Sequence, residues 1–386
     1  MDQSETNWRL VWLLWAAGLG AAAQYGKISV VFDRLPTVYP DAGAALGFAV
    51  SLVGFLGILL GVVAGVLVAR IGYRRALISA LILGSVMSLA QSGFPPLPLF
   101  LASRVLEGAA HLAIVVAAPT LISQITMQKH RGFALTLWGT FFGVAFAILA
   151  FLGLPFADAM GLSALMVVHA VYLGLMALTI WYFLPKTETV QTSIPNFLEL
   201  ILFHKRIYRS PYIGAAALGW LFYTISFVSI LTVLPSFISP DWRIFVIGAM
   251  PLMSILSSLT LGVYLLRVMQ AVNVIFLGFM LCAVSSLGLA VFQGSPVLAL
   301  VLGASLGLVQ GASFAAVPEL NSTLGDRALA NGGLAQMGNL GNTLGTPLMV
   351  VILAKFGYYG LITSLFLTFL AGACIHFLLC QRRTAK

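Results

Sequence analysis

The chain has 386 residues, of which 60% are hydrophobic and only 8% charged, with a mean hydropathy of +1.03. A soluble domain carries roughly a quarter charged residues, so this chain cannot clothe a water-facing surface and its main solvent is lipid. The net charge of +9 would suggest a nucleic-acid partner in a soluble protein, but here the cations gather in alternate loops, as the positive-inside rule requires, and no nucleic acid is expected.

Helices and closed barrels are the structures that satisfy every backbone group inside lipid. A barrel would show roughly ten-residue segments of alternating polarity, whereas residues 44–68 are apolar on every face. At about 20 apolar residues per span, the length holds a dozen helices with short loops. The first is predicted over 8–31; it is too long for a cleaved leader and lacks a small-residue cleavage pattern. After an outside loop ending near Asp41, the second runs to Ala69 and ends in a basic turn with Arg70, Arg74 and Arg75. The third starts near Ala76 and stops before Pro95. The fourth covers 99–125, the fifth 132–155 and the sixth 161–184.

Residues 186–209 then turn polar. Within them 195–203 reads as a short amphipathic piece followed by Lys205, Arg206 and Arg209. That composition suits a helix lying on the cytoplasmic leaflet, and equally an ordinary tether between halves. Six further spans are predicted at 211–237, 244–266, 272–292, 296–320, 332–354 and 361–379. With the N-terminus inside, fifteen of the twenty Lys and Arg fall in cytoplasmic loops and tails. Arg34, Arg243 and Lys355 fall outside, and Lys27 and Arg104 within spans. The expectation is therefore an inner-membrane, multi-pass protein with both termini cytoplasmic.

Matched pairs along the chain point to a repeat. Glu107-Gly108 in the fourth span answers Gln310-Gly311 in the tenth, 203 residues on; Gly139 and Gly143 in the fifth answer Gly341 and Gly345 in the eleventh, 202 on. Gly65 and Arg70 answer Gly262 and Arg267, 197 on. Three ordered pairs at similar offset and depth predict two related halves. The expected fold is an all-α integral membrane protein of twelve transmembrane helices in two pseudo-symmetric six-helix bundles, 1–185 and 211–386, joined by a cytoplasmic linker, 186–210.

The segment GVLVARIGYRR after the second span resembles the loop motif G-x-L-a-D-R-x-G-r-[kr] of the major facilitator superfamily (MFS), matching at Gly65, Leu67, Arg70, Gly72 and Arg74. The aspartate position holds Ala69, so the charge lock that the resemblance implies between bundles must be weaker or built from other groups. RVLEGAAH is similar to the family's R-x-x-q-G pattern at Arg104 and Gly108. The run NGGLAQMGNLGNTLGTPL resembles exporter-like members, while the Gly-Pro signature of drug/proton antiporters in the fifth span is not clearly present. The resemblance covers essentially the whole chain and implies spans 1, 4, 7 and 10 around a central cavity.

A charge at mid-membrane costs roughly 2.5–3.5 kcal/mol on insertion scales. Arg104, Glu107 and His111 project at about 0°, −60° and −20° on one helix face, within reach of one another at i,i+3 and i,i+4. They form a candidate proton-coupling triad, with a static self-neutralising ion pair as the alternative. Gln24, Tyr25 and Lys27 in the first span are candidate substrate-binding groups, although Lys27 could instead snorkel to the outer interface. Trp220 and Tyr223, with Ser226 beside them, and Gln310 are the second-half candidates. Asp33 and Arg34 read as interfacial or gate charges. Arg70, Arg74, Arg75, Glu319 and Arg327 are candidate cytoplasmic gate residues, the last two as an ion pair. Gly139, Gly143, Gly341 and Gly345 are expected to let helices approach, and Asn339 and Asn342 to bond across helices. His169 reads as a lone hydrogen-bonded bundle residue.

No phosphate-binding G-x-x-x-x-G-K-[ST] loop, metal-ligand cluster or nucleophile elbow occurs in the sequence. The three cysteines, Cys282, Cys374 and Cys380, lack redox or metal spacing. No cofactor or metal is expected, and no enzymatic activity. The expected function is secondary active transport by alternating access in a monomer. It would be proton-coupled efflux of an anionic or zwitterionic small molecule, a metabolite, drug or siderophore. Proton-coupled import of a small organic anion is the runner-up, and a ligand-binding membrane sensor the alternative of another class.

Overall fold

The computed structural model describes residues 5–185 and 196–385, and every regular element among them is helical. In chain order these are α1 (Trp8–Ser29), α2 (residues 46–71), α3 (Tyr73–Gln91), α4 (Leu97–Ile125), α5 (Gln128–Met160) and α6 (Leu162–Phe183). There follow α7 (Phe197–Arg209), α8 (Gly214–Val233), α9 (Pro240–Val268), α10 (Ala271–Val291), α11 (Pro296–Leu320) and α12 (Leu324–Thr384). Residues 186–195 of the predicted linker, 186–210, lie outside the described residues. Of the predicted amphipathic piece, the described part belongs to α7.

Local chemistry sets these ends. The Asn7 side chain accepts from Leu10 N–H and starts α1, and Ser295 does the same for Leu298 at α11. Gly72, at φ 91°, turns α2 into α3 with no loop between them. The expected break between the last two spans shrinks to Gly357, at φ 66°, inside α12.

Ten described helices are long and apolar enough to cross a membrane. The 22-residue α1 falls outside the ten, and the last of them, Gly325–Thr384, contains the bend at Gly357.

The chain groups into two compact units, Met1–Ala42 with Leu52–Ile194, and Gly43–Ser51 with Pro195–Lys386. Gly43–Ser51 joins the second because Gly47 lies against the Pro347 backbone, where a Cβ would come within 2.6 Å of Cα. In the first unit α3 packs on α4 and α6, and α1 on α4, α5 and α6. Leu14, Leu77, Leu81, Ile114, Ile122 and Leu173 are buried among them. In the second, α8 packs along α12, α10 on α11 and α12, and α9 on α11.

Two of the repeat glycines mark equivalent contacts. A Cβ on Gly108 of α4 would sit 2.5 Å from the Val53 carbonyl oxygen, where α2 tightens into the 3-10 turn Leu52–Gly54. Gly311 of α11 lies against the Ser258 hydroxyl, where α9 opens into the π turn Ser258–Gly262. Each glycine thus faces a departure from α geometry in its neighbour. The expected close approach also holds at Gly341 and Gly345, which seat α12 on the Leu221–Ile225 backbone of α8. Gly143 is buried. Gly139 is a correction: a Cβ there would have nothing within 4 Å. It ends one helical piece of α5 at the Thr140 cap instead of meeting another helix.

This contrast yields a stability prediction. Gly345→Ala, which drives a methyl into the Ile225 carbonyl, should lower stability by about 1–3 kcal/mol. Gly65→Ala, in open space within a helix, should be neutral or stabilise by up to about 1 kcal/mol. Melting of the detergent-purified variants measures both.

Candidate functional site

Lys27, Arg104 and Glu107 are all fully buried inside the first unit. Lys27 Nζ donates to Glu107 Oε1 at 2.7 Å and to Ser88 Oγ at 2.8 Å, and lies 3.2 Å from His169 Nδ1. Arg104 Nη1 donates to Glu107 Oε2, and Arg104 Nη2 to the Gln24 backbone carbonyl at 2.5 Å. Gln91 Nε2 reaches Glu107 Oε2 at 2.9 Å and Ser103 Oγ at 3.1 Å. Four helices, α1, α3, α4 and α6, therefore meet on one carboxylate and its partners.

The hydrogen-bond partners constrain where the protons sit. His169 Nε2 lies 3.0 Å from the Gly20 carbonyl, which can only accept, so Nε2 carries the proton and Nδ1 is an acceptor. Ser88 Oγ lies 3.0 Å from the Met166 carbonyl and 2.9 Å from His169 Nδ1, two acceptors for its single proton. Glu107, Ser88 and His169 all lie within hydrogen-bond reach of the Lys27 ammonium. A charged Lys27 beside a neutral His169 completes the set. Two cations share one carboxylate, an excess of one positive charge.

Several expectations change here. Lys27 does not snorkel; inward acceptors on three helices hold its ammonium away from the interface. His169 is hydrogen-bonded as expected but is not alone. His111 lies on the same face as Glu107, yet its Nδ1 donates to the Ala21 carbonyl at 3.0 Å and its ring meets Tyr25 edge-on at 5.1 Å. The Lys27 side chain, rising from α1, takes the carboxylate oxygen that His111 was expected to approach. Gln24 contributes its backbone carbonyl; its amide and the Tyr25 hydroxyl are buried with no partner among the described residues. Sequence reasoning missed Ser88, Gln91 and Ser103. The available signal was a pair of polar residues at i,i+3 late in an apolar span.

The second unit is built from neutral groups. Trp220 and Tyr223 stack at 4.4 Å and 17°, Tyr223 and Phe227 at 5.3 Å and 22°, and Phe314 meets Trp220 edge-on at 5.2 Å. Gln310 accepts from Ser254 at 3.4 Å, and Ser226 bonds its own helix at Phe222. At offsets of 197 to 207 residues, Ser226, Ser285, Gln310 and His376 stand where the first unit has Lys27, Ser88, Glu107 and His169. His376 lies against Gly219 as His169 lies against Gly20, but neither of its nitrogens has a partner among the described residues. With serine in place of the lysine, the donor is gone.

The gate residues also differ from expectation. Glu319 accepts from Ala271 N–H at 3.0 and 3.2 Å, at the N-terminus of α10. Arg327 donates to the Asn321 carbonyl at 2.8 Å. No ion pair joins these two among the described residues, because each side chain meets an unpaired backbone group at a nearer helix end. Arg74 donates to the Leu184 and Trp181 carbonyls at 2.6 and 2.5 Å, closing the end of α6, while Arg70 and Arg75 are exposed. Asn339 bonds back to Ala335 of its own helix, not across to another. Arg34 pairs with Asp33 and Asp158 at 2.8 and 2.6 Å in a partly exposed site. A cavity of about 320 Å³ beside Val38–Ala42 and Leu97 is lined by none of these groups. Beside it Tyr39 donates to the Pro95 carbonyl, and burial pushes its phenol up to about 12, so it stays neutral.

The Major Facilitator Superfamily pattern matches residues 14–325. The chain belongs to the MFS. It is also similar to an inner membrane transport protein of Escherichia coli strain K12, YajR, with 29% identity over 147 residues. That alignment takes in 38% of this chain and 32% of the relative, so the chain matches about a third of the relative's length. Membership of that family agrees with the long apolar helices of a multi-pass membrane protein.

Removing one partner from a buried ion pair strands the other, at a cost of about 3–5 kcal/mol, whereas removing both costs far less. Glu107→Gln, which strands Lys27 and Arg104, should destabilise the purified protein by that order, and Lys27→Met, which leaves Glu107 paired with Arg104, by less. The double variant should lose at least about 1 kcal/mol less than the sum of the two. Chemical-denaturant or thermal melts in one detergent read the cycle, and strict additivity would remove the pair from the account of the fold.

Proposed function

We propose that this MFS chain is a secondary active transporter that works by alternating access and couples export of a small organic anion or zwitterion to protons. The observation that carries this reading is the sealed network of Lys27, Arg104 and Glu107 with its hydrogen-bonding shell. A lone charge inside a membrane is costly, and an excess cation among four packed helices asks for a purpose. Protonating Glu107 would raise the excess to two positive charges and weaken its hold on Lys27, one of the links between α1 and α4. One proton thereby changes how these helices hold together, which is what coupling requires.

In this reading Arg104 and Glu107 carry the coupling. Lys27 joins them as the partner of Glu107, and His111 acts through Ala21 and Tyr25 instead of through the carboxylate. Cation excess in the first unit and the Trp220, Tyr223 and Phe314 aromatic group in the second both suit an organic anion carrying flat or apolar parts. Gln310 adds a neutral polar contact. The likeness of residues 331–348 to exporter-like members supports efflux. The likeness to an E. coli inner membrane transport protein supports an inner membrane, and the distribution of Lys and Arg supports both termini in the cytoplasm.

The test begins with a thermal-stabilisation screen of the purified protein against organic anions, zwitterions and lipophilic cations. The stabilising compound is then used for counterflow and pH-gradient-driven accumulation in proteoliposomes. Anions or zwitterions should stabilise, and an imposed pH gradient should drive accumulation. Glu107→Gln should abolish gradient-driven accumulation, at least tenfold, while exchange continues. Undiminished gradient-driven transport in that variant removes Glu107 from coupling. Binding without flux in the wild type would favour a sensor.

A further inference from the structure

We propose that α7, together with the end of α12, forms a docking site for an anionic phospholipid. α7 has a rigid start. Asn196 and Glu199 form a reciprocal cap, Glu199 N–H to Asn196 Oδ1 at 2.9 Å and Asn196 N–H to Glu199 Oε2 at 2.8 Å. Its inner face is anchored within the second unit. Ile207 is fully buried between Gly214 and Gly333, Tyr208 donates to Gln336 Oε1 at 2.6 Å, and Gln336 Nε2 meets His204 at 2.8 Å. These contacts hold α7 where α8 begins and near the first turns of α12, the level of the membrane interface.

Among the described residues of the second unit, the side chains of the outer face have no hydrogen-bonded partner. At about 100° per residue, Leu198, Ile201, Leu202, Lys205 and Arg209 fall within one arc of about 100°. The apolar residues come first, 64%, 47% and 51% exposed, and the cations follow one turn later. The end of α12 adds charge at that same place. Arg382 donates to the Arg209 carbonyl at 3.2 Å, and Arg383 to the Pro211 carbonyl at 2.9 Å. Arg206 is neutralised by Asp326 at 2.7 Å. Among the described residues, no carboxylate pairs with Lys205, Arg209 or Arg382, and the Arg383 Nη2 atom is buried without a partner.

An apolar stripe that runs into unneutralised cations fits one occupant: acyl chain along Leu198, Ile201 and Leu202, and a phosphate at Lys205, Arg209 and Arg382. Cations of this kind near a membrane surface favour anionic over zwitterionic headgroups, and the stripe supplies the part that a soluble phosphate lacks. The proposal needs only the membrane setting and stands whether or not transport is proton-coupled.

Native mass spectrometry of the full-length, delipidated protein in detergent tests this, with phosphatidylglycerol and phosphatidylcholine titrated separately. Phosphatidylglycerol should bind roughly tenfold more tightly. Lys205→Gln with Arg209→Gln, both exposed and outside the anchoring face, should erase that preference while the melting temperature and phosphatidylcholine binding hold. Leu198→Ser with Leu202→Ser should weaken both lipids. Equal binding of the two lipids by the wild type, an unchanged preference in the charge variant, or equal competition by soluble glycerol phosphate each overturns the proposal. An independent Arg382→Gln variant, should the first pair fold poorly, must reduce the preference for the proposal to stand.

Discussion

One carboxylate organises the first unit. Glu107 receives Lys27 from α1, Gln91 from α3 and Arg104 from its own helix, and the Lys27 ammonium continues the chain to Ser88 and His169. In hydrocarbon no water competes for these groups, so each buried polar atom must find a protein partner or be left uncompensated. The packing of four helices is therefore tied to the ionisation of a single side chain.

The second unit shows the same scaffold with the charge removed. Lysine becomes Ser226, glutamate becomes Gln310, and the histidine remains as His376 without its donor. Charges are lost together because keeping one alone would strand it in a low-dielectric interior. The aromatic group of Trp220, Tyr223, Phe227 and Phe314 occupies the neutral half, where dispersion and stacking replace ion pairing. The first unit thus buries an ionic cluster and the second an aromatic one.

Close helix contact depends on glycines that lie opposite irregular backbone. Gly108 and Gly311 each lean on a neighbouring helix where it leaves α geometry, one at a 3-10 turn and the other at a π turn. Such turns free carbonyls and shift the register of the side chains that follow. The spacing of the repeat glycines was visible in the sequence. The turns opposite them were not, since a glycine pattern records that something comes close without recording what it is.

Much of the architecture was legible residue by residue. Apolar runs of span length, the offset between Glu107-Gly108 and Gln310-Gly311, and the GVLVARIGYRR segment led to helices, a repeat and the family. Arg104 and Glu107 were found from i,i+3 spacing, because a helix places those positions together whatever surrounds it. Which groups complete the network was decided in three dimensions. Lys27, Ser88, Gln91 and His169 come from helices separated by up to 142 residues, and their meeting depends on how those helices pack. The same holds for Glu319 and Arg327, whose opposite charges suggested a pair until nearby helix ends gave each a backbone partner. Composition and periodicity determine what a chain must bury and on which face. Only tertiary packing determines which buried groups face one another, because hydrogen bonds require contact at about 3 Å and sequence spacing controls that distance only within a single helix.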